Sequence, residues 1–130
     1  MKIYYAHSIR GNHSENEIEP LQVIEYLKYI WHEVLSEEIW TWNIKLSDKD
    51  IYIRDTQMIN DCDIILANIS NISTGVWYEI WFWEFLQKKI ICFYENNIIS
   101  IDKISAMITG NPNIHIFWID KLDDIYTNIK

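Results

Sequence analysis

Two continuous apolar runs limit the folds open to this chain more than any other feature. Residues 63–69 read DIILANI and residues 89–94 read KIICFY, without alternation of polar and apolar side chains. Strands buried on both faces of a parallel sheet have this pattern, whereas strands with one solvated face alternate. Both runs therefore predict central strands of a sheet that helices cover on both sides.

The rest of the chain alternates between strand-like and helix-like segments. Strands are expected at 3–6, 33–36 and 114–118, and helices at 17–31, from 47 onward, from 75 to 88, at 102–108 and at 121–129. Pro20 is compatible with the first helix only in its first turn. The alternation predicts one α/β domain over residues 1–130, a Rossmann-like or flavodoxin-like three-layer sandwich with a mostly parallel sheet of about five strands.

Composition excludes several classes of function. The net charge is −8, so the surface repels polynucleotide phosphates and nucleic acid is a poor partner. No apolar run approaches the roughly 20 residues of a membrane span, and the opening residues lack the features of a signal peptide. Cys62 and Cys92 lie in apolar surroundings and are expected to be buried, reduced thiols. We therefore expect a cytoplasmic protein that contacts neither a membrane nor nucleic acid.

The loop after the first predicted strand has the chemistry of a phosphate site. Residues 8–11 read SIRG and precede a predicted helix. Backbone N–H groups, the Ser8 hydroxyl and the Arg10 guanidinium could together bind one phosphate. The alternative is an ordinary strand–helix turn with a solvated arginine, and the loop alone slightly favours that alternative.

A carboxylate follows the strongest predicted strand. Glu79 lies early in the helix after residues 63–69, where open α/β sheets bind ligands beyond the carboxyl ends of their strands. A carboxylate there can attack the anomeric carbon of a sugar, and Asp55 could serve as its acid–base partner. The alternative for Glu79 is that it only interacts favourably with the helix dipole. The alternative for Asp55 is a solvated residue of a helix.

Taken together, four segments resemble the nucleoside 2-deoxyribosyltransferase superfamily, and within it the 2′-deoxynucleoside 5′-phosphate N-hydrolases. They are residues 4–11 (YYAHSIRG), Asp55, residues 67–79 (ANISNISTGVWYE) and residues 105–110 (SAMITG). The resemblance covers nearly the whole chain. It implies hydrolysis of 2′-deoxynucleoside 5′-monophosphates to free base and 2-deoxyribose 5-phosphate, without a metal or an organic cofactor.

The resemblance also implies a role for individual residues. Glu79 would be the nucleophile of a covalent glycosyl intermediate, Asp55 would position the sugar and assist proton transfer, and Tyr4 would pack beside the sugar and the nucleophile. The small-molecule nucleotide would be bound by Ser8, Ile9, Arg10, Gly11, Ser73 and Gly75. Ser105 and Met107 would reach into the site of a neighbouring protomer, which implies a homodimer.

Other activities remain open on the sequence alone. Tyr4 beside Asp55 resembles the arrangement that excludes a 2′-hydroxyl, and Arg10 resembles the phosphate-requiring hydrolases. A deoxyribosyltransferase, an N-glycosidase for ribonucleotides such as CMP, and a non-catalytic nucleotide-binding module are the alternatives.

Tryptophan occupies positions where the relatives have small residues. The chain has 7 tryptophans and 3 glycines, whereas average usage predicts about nine glycines. The affected positions are Trp31, Trp40, Trp42, Trp77, Trp81 and Trp83. One hypothesis is that the indoles are genuine packing anchors. We favour the hypothesis that UGA codons of this gene specify glycine and have been translated here as tryptophan. A protein that contains Trp77 and Trp81 would then have a distorted nucleotide pocket.

Overall fold

The computed structural model describes residues 1–8, 15–41 and 45–130, with the backbone alone for residues 40 and 41. The strands β1 to β5 are Lys2–Ala6, Glu33–Val34, Ile64–Asn68, Lys89–Glu95 and Ile114–Ile119. The helices α1 to α6 are Pro20–Tyr29, Glu37–Thr41, Asp48–Asp61, Thr74–Phe85, Ala106–Thr109 and Asp123–Ile129, with a 3-10 turn at Ile101–Lys103. Pro20 takes the first position of α1, where a missing N–H costs no helical hydrogen bond.

The strands form one five-stranded sheet in the order β2-β1-β3-β4-β5, and every pair is parallel. This is the flavodoxin-like order, whose direction of connection reverses between β1 and β3. The predicted α/β fold is therefore confirmed. The crevice for a ligand lies where the carboxyl ends of β1 and β3 diverge.

Two apolar layers cover the sheet, one on each face. One contains Tyr4, Ile65, Ile80 and Trp83, and so packs α3, α4 and α5 against the sheet. The other contains Ile3, Leu27, Leu66, Phe93 and Ile125, and so packs α1 and α6. Neighbouring residues of β1 thus serve opposite layers, and the central strands are buried on both faces as their apolar runs predict.

The second strand is shorter than predicted, because a side chain replaces its backbone ladder. Regular pairing ends at Val34 rather than at Ser36. The Ser36 hydroxyl then accepts a 2.8 Å hydrogen bond from the N–H of Tyr5 and donates a 2.9 Å bond to the carbonyl oxygen of Tyr5. The chain leaves the sheet there and enters α2, a short helix that the sequence did not predict.

Two helices end earlier than predicted, in turns with left-handed backbone. α4 ends at Phe85 rather than Lys88, and Gln87 after it has φ 55°. α1 ends at Tyr29, and Trp31 after it has φ 71°. In both turns the N–H of the next residue bonds to a carbonyl of the last helical turn, as in the Schellman motif that usually places glycine at this position.

Two further boundaries differ from the predictions. The predicted helix at 102–108 is divided into the 3-10 turn and α5, because Ile104 has extended backbone and Ser105 caps a new helix. The last helix begins at Asp123 rather than Lys121. There the Asp124 carboxylate accepts hydrogen bonds from the N–H groups of Asp120 and Lys121, which holds those two residues in a turn.

Candidate active site

Tyr4 and Glu79 meet at the carboxyl edge of the sheet. Tyr4 is a buried residue of β1, and Glu79 lies in the second turn of α4, whose first turn is capped by Ser73. The phenol hydroxyl of Tyr4 donates a 2.9 Å hydrogen bond to Glu79 Oε1. Because a central strand holds the donor, the carboxylate of Glu79 has a fixed orientation in the crevice.

Asp55 brings a second carboxylate to the same place from α3. Its Oδ1 accepts a 2.8 Å hydrogen bond from Nε of Arg54, and both side chains are mostly buried. Asp55 and Glu79 line one cavity of about 20 Å³, which has room for one water-sized group. Its described lining is Tyr4, Tyr5, Ala6, His7, Ile39, Asp55 and Glu79.

Burial changes the protonation of both carboxyl groups. Desolvation raises the pKa of Glu79 to about 7; the Tyr4 hydrogen bond opposes this rise and the charge of Asp55 adds to it. Desolvation also raises the pKa of Asp55, against the hydrogen bond and positive charge of Arg54. Burial keeps the pKa of Tyr4 well above its ordinary value, so its hydroxyl remains a donor. Because interacting groups titrate as a pair, the loss of the Glu79 proton near pH 7 depends on the charge of Asp55.

Comparison with known proteins places the chain in a family. No protein-family model matches it. A relative from Syntrophotalea carbinolica, named as a 2′-deoxynucleoside 5′-phosphate N-hydrolase, is 31% identical over 135 residues, which are 100% of this chain and 92% of the relative. The chain belongs to this N-hydrolase family. A 5-hydroxymethyl-dUMP N-hydrolase from Danio rerio is also 31% identical, over 99% of this chain and 92% of its own length.

Two solved structures share the fold of this N-hydrolase family member. A CMP N-glycosidase from Clostridium botulinum has a TM-score of 0.65 at 18% identity and covers 98% of this chain and 95% of its own. A 2-deoxyribosyltransferase from Bacillus psychrosaccharolyticus has a TM-score of 0.70 at 21% identity, covering 96% and 90%. These likenesses concern the fold alone. With the family relationship, they confirm the predicted superfamily, and the family relationship confirms the prediction of a nucleotide N-glycosidase.

The structure brings together part of the predicted site of this family member. Tyr4, Asp55 and Glu79 share the cavity, and Ser8 follows the same strand as Tyr4. Ser8 is buried, and its hydroxyl has no hydrogen-bond partner in the part of the chain that the structure describes. The predicted contacts Ile9, Arg10 and Gly11 lie outside the described residues.

The other predicted contacts do not line the described part of this cavity. The hydroxyl of Ser73 accepts a 3.3 Å hydrogen bond from the N–H of Val76 and so caps α4. A β-carbon at Gly75 would lie 3.6 Å from Ser73 Oγ, an ordinary contact, so space alone does not require glycine there. Ser105 caps α5, and Met107 is 77% exposed. None of these four residues is among the described lining of the Glu79 cavity.

The tryptophans fall into distinct environments. Trp83 is fully buried and meets the ring of Tyr4 edge-on, with 5.6 Å between ring centroids. Trp77 is partly buried against the same apolar layer, whereas Trp81 and Trp31 are mostly exposed. Neither Trp77 nor Trp81 is among the described residues that line the Glu79 cavity. Trp42 and the side chain of Trp40 lie outside the described part of the chain.

Sequence reasoning missed two partners of the site. Arg54 was not predicted, although it neighbours Asp55, because adjacent helix residues usually point apart. His7 was not predicted as a site residue, yet it lines the cavity and lies 3.3 Å from a carboxylate oxygen of Glu17. A histidine directly after a buried strand was the available signal.

Metal and membrane sites have no support among the described residues. Within residues 1–8, 15–41 and 45–130, no group of three or more histidine, cysteine or acidic residues is arranged to bind a metal ion. No helix in those ranges has the length and apolar character to cross a membrane. Cys62 and Cys92 are free and buried, and burial raises the pKa of their thiols to about 11 and about 12, so both thiols are unreactive.

Proposed function

We propose that this protein hydrolyses the N-glycosidic bond of 2′-deoxynucleoside 5′-monophosphates. The observation that carries the proposal is the pair of carboxyl groups, Glu79 and Asp55, at one cavity with Tyr4 bonded to Glu79. The names of the relatives in Syntrophotalea carbinolica and Danio rerio support this class of substrate. A cytoplasmic location is part of the proposal, and the two free thiols are compatible with it.

The proposed reaction has two steps with a balanced exchange of one proton. In the first, a Glu79 carboxylate oxygen attacks C1′, the bond from C1′ to the base breaks, and the base leaves with a proton from Asp55. In the second, water attacks C1′ and releases Glu79, while Asp55 accepts the proton of that water. The products are the free base and 2-deoxyribose 5-phosphate, and both carboxyl groups return to their starting state.

The pH dependence of kcat tests this assignment of roles. The reaction needs Glu79 ionised and Asp55 protonated, so the pair must carry one proton between them. The pKa of Glu79, raised by burial to about 7, places the loss of this proton near neutrality. We therefore expect kcat to fall about tenfold per pH unit above roughly pH 7, as an essential acid is lost. A kcat that rises through pH 7 to a plateau would contradict the shared-proton mechanism.

The first experiment measures release of free base by chromatography. The substrates are the four deoxynucleoside monophosphates, the matching deoxynucleosides and the matching ribonucleotides. Base release from the phosphorylated deoxy substrates, reduced at least about a thousandfold in Glu79→Gln, is the expected result. Glu84→Gln is the matched control, since Glu84 lies on the same helix and bonds instead to Asn111; it should retain activity.

Other outcomes of the same assay would support the alternatives. Base release from CMP but not from its deoxy counterpart would favour a ribonucleotide N-glycosidase. Transfer of deoxyribose to an added second base would favour a deoxyribosyltransferase. Nucleotide binding with no turnover of any substrate would favour a non-catalytic module, and restoring glycine at positions 77 and 81 would then test whether tryptophan causes the inactivity.

A homodimer is part of the proposal, with Ser105 and Met107 completing the partner's site. Met107 is 77% exposed, and α4 presents Tyr78, Trp81 and Phe85 on its surface. An apolar surface of this kind is typical of an interface. Mixing Glu79→Gln protein with Met107→Asp protein tests it, because a mixed dimer has one intact site. Recovery of about a quarter of the normal activity is expected, and no recovery would place Met107 in its own protomer's site.

A further inference from the structure

A second cluster of buried ionisable groups lies behind the active-site cavity. His7 and Glu17 approach each other with 3.3 Å between Nε2 and Oε1, and their side chains are 2% and 4% exposed. Glu95, at the end of β4, is also buried. Buried charges destabilise a fold unless they are well paired, and apolar residues could fill the same space at lower cost. The cluster therefore calls for an explanation other than stability.

Hydrogen bonds from this cluster reach the backbone at Ser8. The carbonyl oxygen of Ser8 lies 2.9 Å from Nδ1 of His7. Since a carbonyl oxygen only accepts hydrogen bonds, Nδ1 of His7 carries a proton and donates this hydrogen bond. Nε2 then faces the Glu17 carboxyl group, and a proton on one of those two atoms makes the contact favourable. The imidazole is thus oriented from both sides, and it fixes the Ser8 peptide group.

The cluster also connects residues 16–18 to the ends of two central strands. Glu95 accepts hydrogen bonds of 2.9 Å from the N–H of Ile18 and 3.1 Å from Nδ2 of Asn68. The Asn97 side chain donates a 3.3 Å bond to the carbonyl oxygen of Asn16. Asn68 ends β3, and Glu95 ends β4. Residues on either side of segment 9–14 are therefore attached to the carboxyl ends of the sheet.

We propose that His7 and Glu17 are positioning residues for the substrate phosphate, which act by holding Ser8, the residue that follows the cavity-lining His7. The proposal rests on the proposed function, because phosphate recognition at Ser8 belongs to it. The buried Ser8 hydroxyl has no partner among the described residues, so its direction depends on the peptide group that His7 holds.

Two substitutions of Glu17 separate positioning from charge. Glu17→Gln keeps the size of the side chain, and its amide N–H can donate to His7 Nε2. Glu17→Leu keeps the volume but removes every polar atom. If the pair positions Ser8, we expect Glu17→Leu to raise KM for a deoxynucleoside monophosphate about tenfold, as for one lost charge-assisted hydrogen bond. Glu17→Gln should stay within about threefold of the unsubstituted protein.

The matched substrate without phosphate distinguishes positioning from general damage. Calorimetric binding of the corresponding deoxynucleoside should change less than about twofold in Glu17→Leu, because that ligand makes no phosphate contact. His7→Asn should likewise raise KM for the deoxynucleoside monophosphate about tenfold. His115→Ala, which removes an exposed histidine of β5, is the control and should change neither substrate. Equal loss on both substrates, together with a lower melting temperature, would mean a merely structural role and would overturn the proposal.

Calorimetric binding of inorganic phosphate tests the inference independently of turnover. Phosphate should bind the unsubstituted protein and Glu17→Gln alike, and about tenfold more weakly to Glu17→Leu. Equal phosphate affinity in all three proteins would overturn the proposal even if base release is normal. Absence of base release with the expected order of phosphate affinities would instead contradict the proposed function and leave the positioning role supported.

Discussion

The carboxyl and amino edges of the sheet place their ionisable groups in opposite ways. At the carboxyl edge, Glu79, Glu17 and Glu95 are largely or fully withdrawn from water, and burial raises the pKa of Glu79 and of Glu95. At the amino edge, the partly exposed Lys88 ammonium donates 2.7 Å hydrogen bonds to the carbonyl oxygens of Asn60, in the last turn of α3, and of Cys62, which follows α3. Buried ionisable groups are costly, so their concentration at one edge marks that edge as functional.

Judged by cavity size alone, the functional site would lie at the amino edge. A groove of about 510 Å³ lies at the amino edge, beside Lys88, Lys89 and Asn113. The cavity that joins the carboxylates at the carboxyl edge is only about 20 Å³. The larger groove has the volume of a ligand site, but its described lining lacks a paired acid and base. Chemistry, rather than size, therefore identifies the active site in this fold.

After the loss of Glu79 itself, the largest expected effect at the carboxyl edge comes from removal of the Tyr4 hydroxyl. Tyr4→Phe deletes the hydrogen bond that stabilises the Glu79 carboxylate, and such charge-assisted bonds contribute about 1.5–3 kcal/mol. We expect kcat to fall roughly 10- to 100-fold, and the falling limb of the pH profile to move upward because the pKa of Glu79 rises further. Steady-state kinetics between pH 5 and 9 measure both changes.

Tyr94→Phe is the control for this substitution. Tyr94 is a buried tyrosine of β4 in the same apolar layer as Tyr4, but it is not among the described residues that line the cavity. Its loss should leave both kcat and the pH profile unchanged. A similar fall in Tyr94→Phe would mean that removing any buried hydroxyl from this layer lowers activity, and the contrast between the edges would lose its basis.

The next largest expected effect is on the free energy of unfolding, in the variant Glu79→Gln. The pKa of Glu79 is raised from its ordinary 4.5 to about 7 in the folded protein. Below pH 4.5 both states are protonated; between these values the unfolded state loses the proton first, so the free energy of unfolding falls as pH rises and levels off above pH 7. Glu79→Gln removes this penalty, and we expect it to stabilise the protein by about 2 kcal/mol at pH 8.

Denaturant unfolding at two pH values checks this prediction. The difference between Glu79→Gln and the unsubstituted protein should vanish near pH 4.5. Glu33→Gln, at an exposed position of β2 near the amino edge, should change stability by less than about 0.5 kcal/mol at either pH. Equal stability of Glu79→Gln and the unsubstituted protein at pH 8 would mean that Glu79 is not desolvated.

The sequence was sufficient to predict the sheet and the position of its functional edge. The uninterrupted apolar runs that became β3 and β4 require burial on both faces, and Glu79 follows the stronger of them. The helix α2 was not predictable in the same way. Its five residues have no periodic apolar face, and Ile39 packs on the core only after Ser36 has ended the second strand.

The missed parts of the site depend on tertiary contacts that leave no local pattern. Arg54 and Asp55 are adjacent on a helix, where side chains ordinarily diverge, and only the crevice brings them together. His7 and Glu17 are joined across the loop between them. Several other acidic residues were equally plausible partners for His7, because sequence spacing does not determine which side chain a loop returns to the sheet.

The smallest effect concerns Trp31, one of two described residues other than glycine with left-handed backbone. Trp31 has φ 71° and is 92% exposed. An L-residue in left-handed backbone costs about 1–2 kcal/mol relative to glycine, and an exposed indole gives little packing in return. Trp31→Gly should therefore stabilise the protein by about 1 kcal/mol. Gln87→Gly is the matched control, because Gln87 occupies the equivalent position after α4 with φ 55°, and a similar gain is expected there.

The result at position 31 also bears on the origin of the tryptophans. Equal gains at positions 31 and 87 would attribute the strain to backbone alone, as for any non-glycine residue after a helix. If UGA codons specify glycine, the protein from its native source already contains glycine at position 31, and its intact mass is lower by one tryptophan-to-glycine difference at each recoded site. A mass that matches the printed sequence would refute recoding, and Trp31 would then be a genuine strained residue.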